Sequence, residues 1–185
     1  MRHLMLDIET FGTTPGCVVL SIGAVEFDMQ RGITGKFHAH LKTASQIEAG
    51  LHLDVRTVEW WLDQSKEAQN ELLKSERFNP VDVIDAFIDT FDWKDLRVWA
   101  NGASFDFPIM KALFNAFRKE LPWAFYNEMD FRTIKNMVGK GTYEKLRVRP
   151  VLAHDALDDA TAQAQTLINI IRWINGEHNE LRLAA

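Results

Sequence analysis

Two periodicities divide the chain. The first forty residues alternate as strands do: Leu4-Met5-Leu6-Asp7-Ile8-Glu9 is apolar and then alternating, and Val18 to Phe27 is a β-branched run beyond the turn residues Gly12-Thr13-Thr14-Pro15-Gly16. Arg31-Gly32 breaks the chain before Gly35-Lys36-Phe37-His38-Ala39-His40-Leu41 alternates again. Three strands with short connections predict an antiparallel meander. Helical spacing then takes over. It runs from Val55 to Leu73 through Val58, Trp61, Leu62, Ala68 and Leu72, and again from Val81 to Phe91. A short apolar strand, Leu96 to Ala100, precedes a helix from about Phe105 to Phe117. A strand-like stretch from Ala124 to Phe131, a short helix to Val138 and a loop rich in Gly and Lys follow. In the last helix Ala156, Ala160, Gln163, Ala164, Leu167, Ile168, Ile171 and Ile174 form one apolar stripe, ended by Asn175-Gly176. The order βββ-α-α-β-α-β-α predicts an α/β fold, a mixed sheet flanked by helices.

Composition changes this picture little. A chain of 185 residues, 46% hydrophobic and 25% charged, has the size and balance of one ordinary globular domain, expected to span 1–185. No repeat, low-complexity tract or linker interrupts it, and neither a signal-peptide-like apolar region nor a membrane-length run is present. The single Cys17 excludes an intramolecular disulfide and a Cys-based zinc site, and fits a reducing, cytoplasmic setting. The net charge of −5 is unusual for a protein that binds phosphate backbones. Divalent cations held by the protein would offset it, and between Asp130 and Pro150 six basic residues (Arg132, Lys135, Lys140, Lys145, Arg147, Arg149) face only Asp130 and Glu144. That segment suits either a phosphate track or an ordinary solvated loop.

Candidate chemistry sits at three places. Asp7 and Glu9, two apart on the first strand, project from one face, where two carboxylates repel unless cations lie between them. Asp106 follows the strand ending at Ala100, in Asn101-Gly102-Ala103-Ser104-Phe105-Asp106-Phe107, and would also serve as an ordinary first-turn acid. In His154-Asp155-Ala156-Leu157-Asp158-Asp159, Asp159 falls on the apolar stripe and therefore faces the sheet. His154 lies five residues earlier, roughly 140° around an ideal helix, which places it in the loop ahead of the helix instead. Asp155 and Asp158 read as partners of the helix dipole.

Taken together, these motifs and their order resemble the DEDDh 3′–5′ exonucleases of the ribonuclease H-like superfamily, over Leu4 to about Ile171. The closing motif carries most of the specificity: a His five positions before the last Asp, where the sister group has Tyr four positions before it. The Asp-Ile-Glu-Thr start, Glu59-Trp60-Trp61 and Asn-Gly-x-x-Phe-Asp are similar to the compact phage, prophage and mycobacterial members, which include DNA-directed and RNA-directed enzymes. The resemblance implies a five-stranded mixed sheet, the antiparallel meander followed by parallel strands. It implies a two-ion Mg²⁺ or Mn²⁺ centre held by Asp7, Glu9, Asp106 and Asp159, with His154 as general base. It implies hydrolysis of single-stranded nucleic acid from the 3′ end, releasing nucleoside 5′-monophosphates. Thr10 and Phe11 match positions that contact the terminal nucleotide, and Asn101 is a weaker candidate for the same role. A homodimer is compatible with the family, with Trp60 and Phe125-Tyr126 as suggestive apolar surface. Trp61 is expected in the core. Two other classes stay open at this point: an endonuclease on a ribonuclease H-like core, which has no need of His154 at this spacing, and a non-catalytic binding module, which has no need of the acids.

Overall fold

The computed structural model describes residues 1–72 and 76–177. Its centre is a five-stranded sheet in the order β3-β2-β1-β4-β5. Strands β1 (Arg2–Thr10), β2 (Val19–Asp28) and β3 (Gly32–His40) form the expected antiparallel meander. Strand β4 (Arg97–Ala100) pairs parallel to β1, and β5 (Glu128–Asp130) parallel to β4. β1 is therefore interior, and its Leu4, Met5 and Leu6 are apolar and fully buried, because both its faces are covered.

The two faces have separate cores. Even-numbered β1 residues Leu4, Leu6 and Ile8 join a cluster with Trp61 of α2 (Val55–Leu62), Val83, Ile84 and Phe87 of α4 (Pro80–Thr90), and Leu113 and Phe114 of α5 (Ala103–Ala116). Odd-numbered Met5 points the other way, into a cluster with Phe131 of α6 (Phe131–Met137), Leu146 of α7 (Lys140–Leu146), and Ala160, Ala164, Leu167 and Ile168 of α8 (Ala156–Ile174). Asp7 and Glu9 continue the odd-numbered row toward the start of α8. No helix among the described residues is long and apolar enough to cross a membrane.

Several boundaries differ from the expectation, each for a local reason. The helix expected over Val55 to Leu73 is two, because Ser65 Oγ accepts the amide of Ala68 at 3.2 Å and caps a new helix, α3 (Lys66–Leu72); Leu73 lies outside the described residues. A short helix α1 (Thr43–Glu48) was not foreseen. Its buried Gln46 accepts from the Val19 amide at 2.8 Å and donates to the Val19 carbonyl at 2.7 Å, imitating a neighbouring strand. The strand-like stretch from Ala124 is a 3₁₀ turn, Phe125–Asn127, and only three residues of strand. The Gly/Lys loop contains α7, which turns one apolar residue, Leu146, into the core while its remaining positions stay polar or partly exposed.

One glycine decides how the elements meet. Gly23 of β2 lies opposite Asp7 in the register, and a Cβ there would stand 2.2 Å from the backbone C and O of Ala156 and 2.4 Å from the Leu157 amide N. The start of α8 thus rests directly on the sheet, beside the two acids of β1. Gly23→Ala is expected to destabilise the fold by about 3 kcal/mol, the upper range for overpacking against backbone. It should also lower catalytic turnover in the fraction that stays folded, because it lifts the start of α8. Urea denaturation and turnover on the same preparation check both effects.

Candidate active site

Asp7 and Glu9 extend from β1, Asp106 from the first turn of α5, and His154 and Asp159 from the loop and first turn at α8. The structure brings all five to one open cleft of about 440 Å³, whose walls also include Ile8, Asn101, Phe105, Arg132 and Gln163. Asp106 is buried; the other four are half-buried at its wall. Ligand-capable atoms of Glu9, His154 and Asp159 all lie within 4.8 Å of one another.

The start of α8 is built by its own acids. Asp155 caps the helix, its Oδ1 accepting the Asp158 amide at 2.9 Å, and Asp158 Oδ2 accepts the Leu152 amide at 2.9 Å. Both therefore act on backbone amides, consistent with their reading as helix-start partners. His154 takes a left-handed backbone, φ 65°, rare for a non-glycine residue. In that conformation its amide donates to Asp159 Oδ2 at 2.9 Å. Its ring meets Trp60 edge-on at a centroid distance of 5.0 Å and Trp61 at 6.0 Å. Trp61 is 2% exposed and donates from Nε1 to the Thr10 carbonyl at 2.9 Å, which locks α2 to the end of β1.

The electrostatics of the cleft run against ionisation. Loss of hydration raises Asp7 well above the usual carboxylate range, and Asp106, Glu9 and Asp159 push it further by repulsion. Glu9 is raised to about 8, first by desolvation and then by Asp159 and Asp155. Desolvation also brings Asp106 to about 7, against opposing backbone hydrogen bonds and the charge of Arg132. Asp159 is raised by the same loss of hydration. Neighbouring acids that are hard to ionise together are what a cation site looks like without its cations. All-oxygen donors suit hard divalent ions.

The nucleotide-contact candidates divide. Thr10 is buried and lines a second groove of about 500 Å³ that shares Ile8, Glu9 and Phe105 with the acid cleft. The aromatic rings on its walls are Trp60, Trp61 and Phe105, whereas Phe11 packs against the core. Asn101 lines the acid cleft, with its buried Oδ1 lacking a protein hydrogen-bond partner. Sequence reasoning missed Gln163 as a site residue. Its Nε2 donates to Asp7 Oδ1 at 2.9 Å, and its only signal was a polar residue on an otherwise apolar stripe, one turn after Asp159. Of the basic segment, Arg132 reaches the acid cleft and holds the Asn101 carbonyl at 2.7 Å, while Arg147 lines a smaller pocket beyond Asp159.

With this geometry in place, relatives can be compared. A family model described as the 3′–5′ exoribonuclease Rv2179c-like domain matches residues 2–171. The chain belongs to this family. As a member it is a 3′–5′ exonuclease, a hydrolase acting on nucleic acid. It is similar to an exodeoxyribonuclease of Enterobacteria phage T4, 25% identical over 215 residues that cover 95% of this chain and 92% of the relative. Among solved structures, Exonuclease X in complex with 5′ overhanging duplex DNA superposes with a TM-score of 0.61 at 17% identity, over 94% of this chain and 93% of that one. The nuclease domain of 3′hExo, a DEDDh family member bound to rAMP, superposes with a TM-score of 0.54 at 14% identity, over 95% and 92%. Against the cell-death related nuclease CRN-4 the TM-score is 0.63 at 17% identity, and 93% of this chain spans 64% of that longer protein. These structural likenesses establish the ribonuclease H-like fold.

Carboxyls raised in the folded state stabilise the metal-free protein below their unfolded pKa values, near 4, and that contribution is lost as pH climbs through about 7 for Asp106 and about 8 for Glu9. In EDTA the melting temperature is therefore expected to fall by more than about 4 °C between pH 5 and pH 8. Mn²⁺ should restore it at pH 8, and Glu9→Gln should flatten the slope. Differential scanning calorimetry across that range checks this, and equal melting temperatures at both pH values would refute it.

Proposed function

We propose that the chain removes nucleotides one at a time from single-stranded 3′ ends in a two-metal hydrolysis, with His154 as general base. The observation that carries the reading is the convergence of four carboxylates and one imidazole on a single cleft, with the acids resisting ionisation there. The donor set fits Mg²⁺ or Mn²⁺, and Asp7, Glu9, Asp106 and Asp159 are the residues that would hold the two ions. When bound, such ions compensate charge on the phosphoryl and leaving oxygens and make water more acidic.

The chain's own residues do the rest. His154 accepts the proton of the attacking water at its imidazole, steadied by the edges of Trp60 and Trp61 and by its own amide bond to Asp159. Gln163 fixes the rotamer of Asp7. The groove beside Thr10, with Trp60 and Phe105 on its walls, offers stacking surface for the terminal nucleotide. Asn101 Oδ1 offers an acceptor for a sugar hydroxyl. Phe11 keeps a place in this reading through its backbone, whose amide and carbonyl tie the groove to Val18 and Asp54 at 2.9 and 2.7 Å. The product is a nucleoside 5′-monophosphate.

Digestion of matched 3′-labelled DNA and RNA strands tests this. Shortening from the 3′ end with Mg²⁺ or Mn²⁺, none in EDTA, and no cutting of circular single strands are expected; cleavage of the circles would overturn the exonuclease reading in favour of an endonuclease. Asp7→Ala and Asp159→Ala should each abolish metal-dependent turnover in a protein that stays folded. His154→Ala should lose roughly 10²–10⁴-fold in kcat with binding largely kept. An unaltered pH–rate profile in that variant would remove His154 from the role.

A further inference from the structure

Outside the acid cleft, a second group of ligand-bearing side chains meets on the far side of β2. His38 and His40 are two apart on the edge strand β3 and so share a face, with ring centroids 4.9 Å apart. Glu71 reaches them from α3, its Oε1 3.2 Å from His40 Nε2. Ligand-capable atoms of all three lie within 4.8 Å of one another. The side chains are largely shielded, at 21% exposure for His38, 13% for His40 and 9% for Glu71.

The close contact between His40 and Glu71 accounts for part of this arrangement. It does not account for His38, whose Nε2 is buried without a hydrogen-bond partner among the described residues. The Asp155 carboxylate stands 3.9 Å from that nitrogen, too far for a hydrogen bond. Burying an unpartnered ring nitrogen beside a second imidazole and a carboxylate is unfavourable unless something binds between them.

We infer that His38, His40 and Glu71 form a transition-metal site of the zinc type, separate from the carboxylate cleft. Two imidazoles and one carboxylate match the three-ligand sets that hold Zn²⁺ with a fourth position open, and nitrogen donors select zinc over magnesium. Donors around a tetrahedral zinc stand roughly 3.4 Å apart, so the present spacing closes with side-chain adjustments of about an ångström. Occupancy would pin α3 to the sheet edge. It would also lie close to the proposed catalytic residues: His40 and Glu71 share a small void with Glu9 and His154, and Asp155 caps the helix that carries Asp159.

The test uses the full chain with Asp7→Asn and Asp159→Asn, which weakens cation binding in the cleft. Zinc titration by calorimetry and Co²⁺ absorption spectroscopy are run on this parent and on the same chain with His38→Ala, His40→Ala or Glu71→Gln added. The parent is expected to bind one Zn²⁺ and to give the intense visible bands of four-coordinate Co²⁺, with no comparable uptake of Mg²⁺. Each added substitution should weaken zinc binding at least about tenfold. Absence of zinc binding in the parent would overturn the proposal, as would unchanged affinity in the variants. Should His40→Ala fail to fold by circular dichroism, Glu71→Gln, which keeps the side-chain volume, decides alone. Loss of the Co²⁺ bands in the variants cannot follow from failure of the exonuclease reading, since no turnover enters the measurement.

Discussion

The direct seating of α8 on the sheet at Gly23 governs the chemistry of this molecule. A helix packed on a sheet is normally held off it by two layers of side chains. Here a missing Cβ on β2 and the small side chains Ala156 and Ala160 remove both layers over the first turn. Asp159 and the loop bearing His154 therefore arrive beside Asp7 and Glu9. The same closeness strips water from the acids, which is why their carboxyls are raised and why the cleft favours positive charge.

The opposite wall is set by a different anchor. Trp61 spans from α2 to the carbonyl of Thr10, and Asp54 at the start of α2 donates its amide to the Phe11 carbonyl. These bonds hold the end of β1 rigid at the point where it leaves the sheet. They also leave Trp60 facing the imidazole of His154. His154 and the acids are therefore each held at a helix start or a strand end. The left-handed turn at His154 is strained for a histidine and is sustained by the amide bond to Asp159.

Net charge reconciles with a polyanionic substrate on the same grounds. The four carboxylates proposed as metal ligands are a small share of the chain's 26 acidic residues, but they are concentrated at the cleft, where divalent ions would reverse the local sign. Arg132, beside Asn101, contributes fixed positive charge at the rim of the cleft. Of the rest of the basic segment, Lys135 lies in α6 over the Tyr143 ring at 5.5 Å, Lys140 and Lys145 lie in α7, and Arg147 and Arg149 follow it.

The amino-acid sequence alone determined the meander, the short strand β4, and the terminal helix with Asp159 on its inner face. Each of these follows from a periodicity that burial imposes directly on residue choice. It also singled out Asp7, Glu9, Asp106 and Asp159 as candidates, through their order and placement together, since each acid alone also has an ordinary reading. Only the tertiary structure decided the rest. Helices α1 and α7 carry one buried residue each, too few to print a period. The division of α2 from α3 rests on a single serine cap. The roles of Gln163, Trp60 and Arg132, and the meeting of His38 and His40 with Glu71, are contacts between segments distant in the chain. The apolar stripe shows that Gln163 faces inward, but not that it holds Asp7, because its partner is chosen by packing and not by its neighbours in sequence.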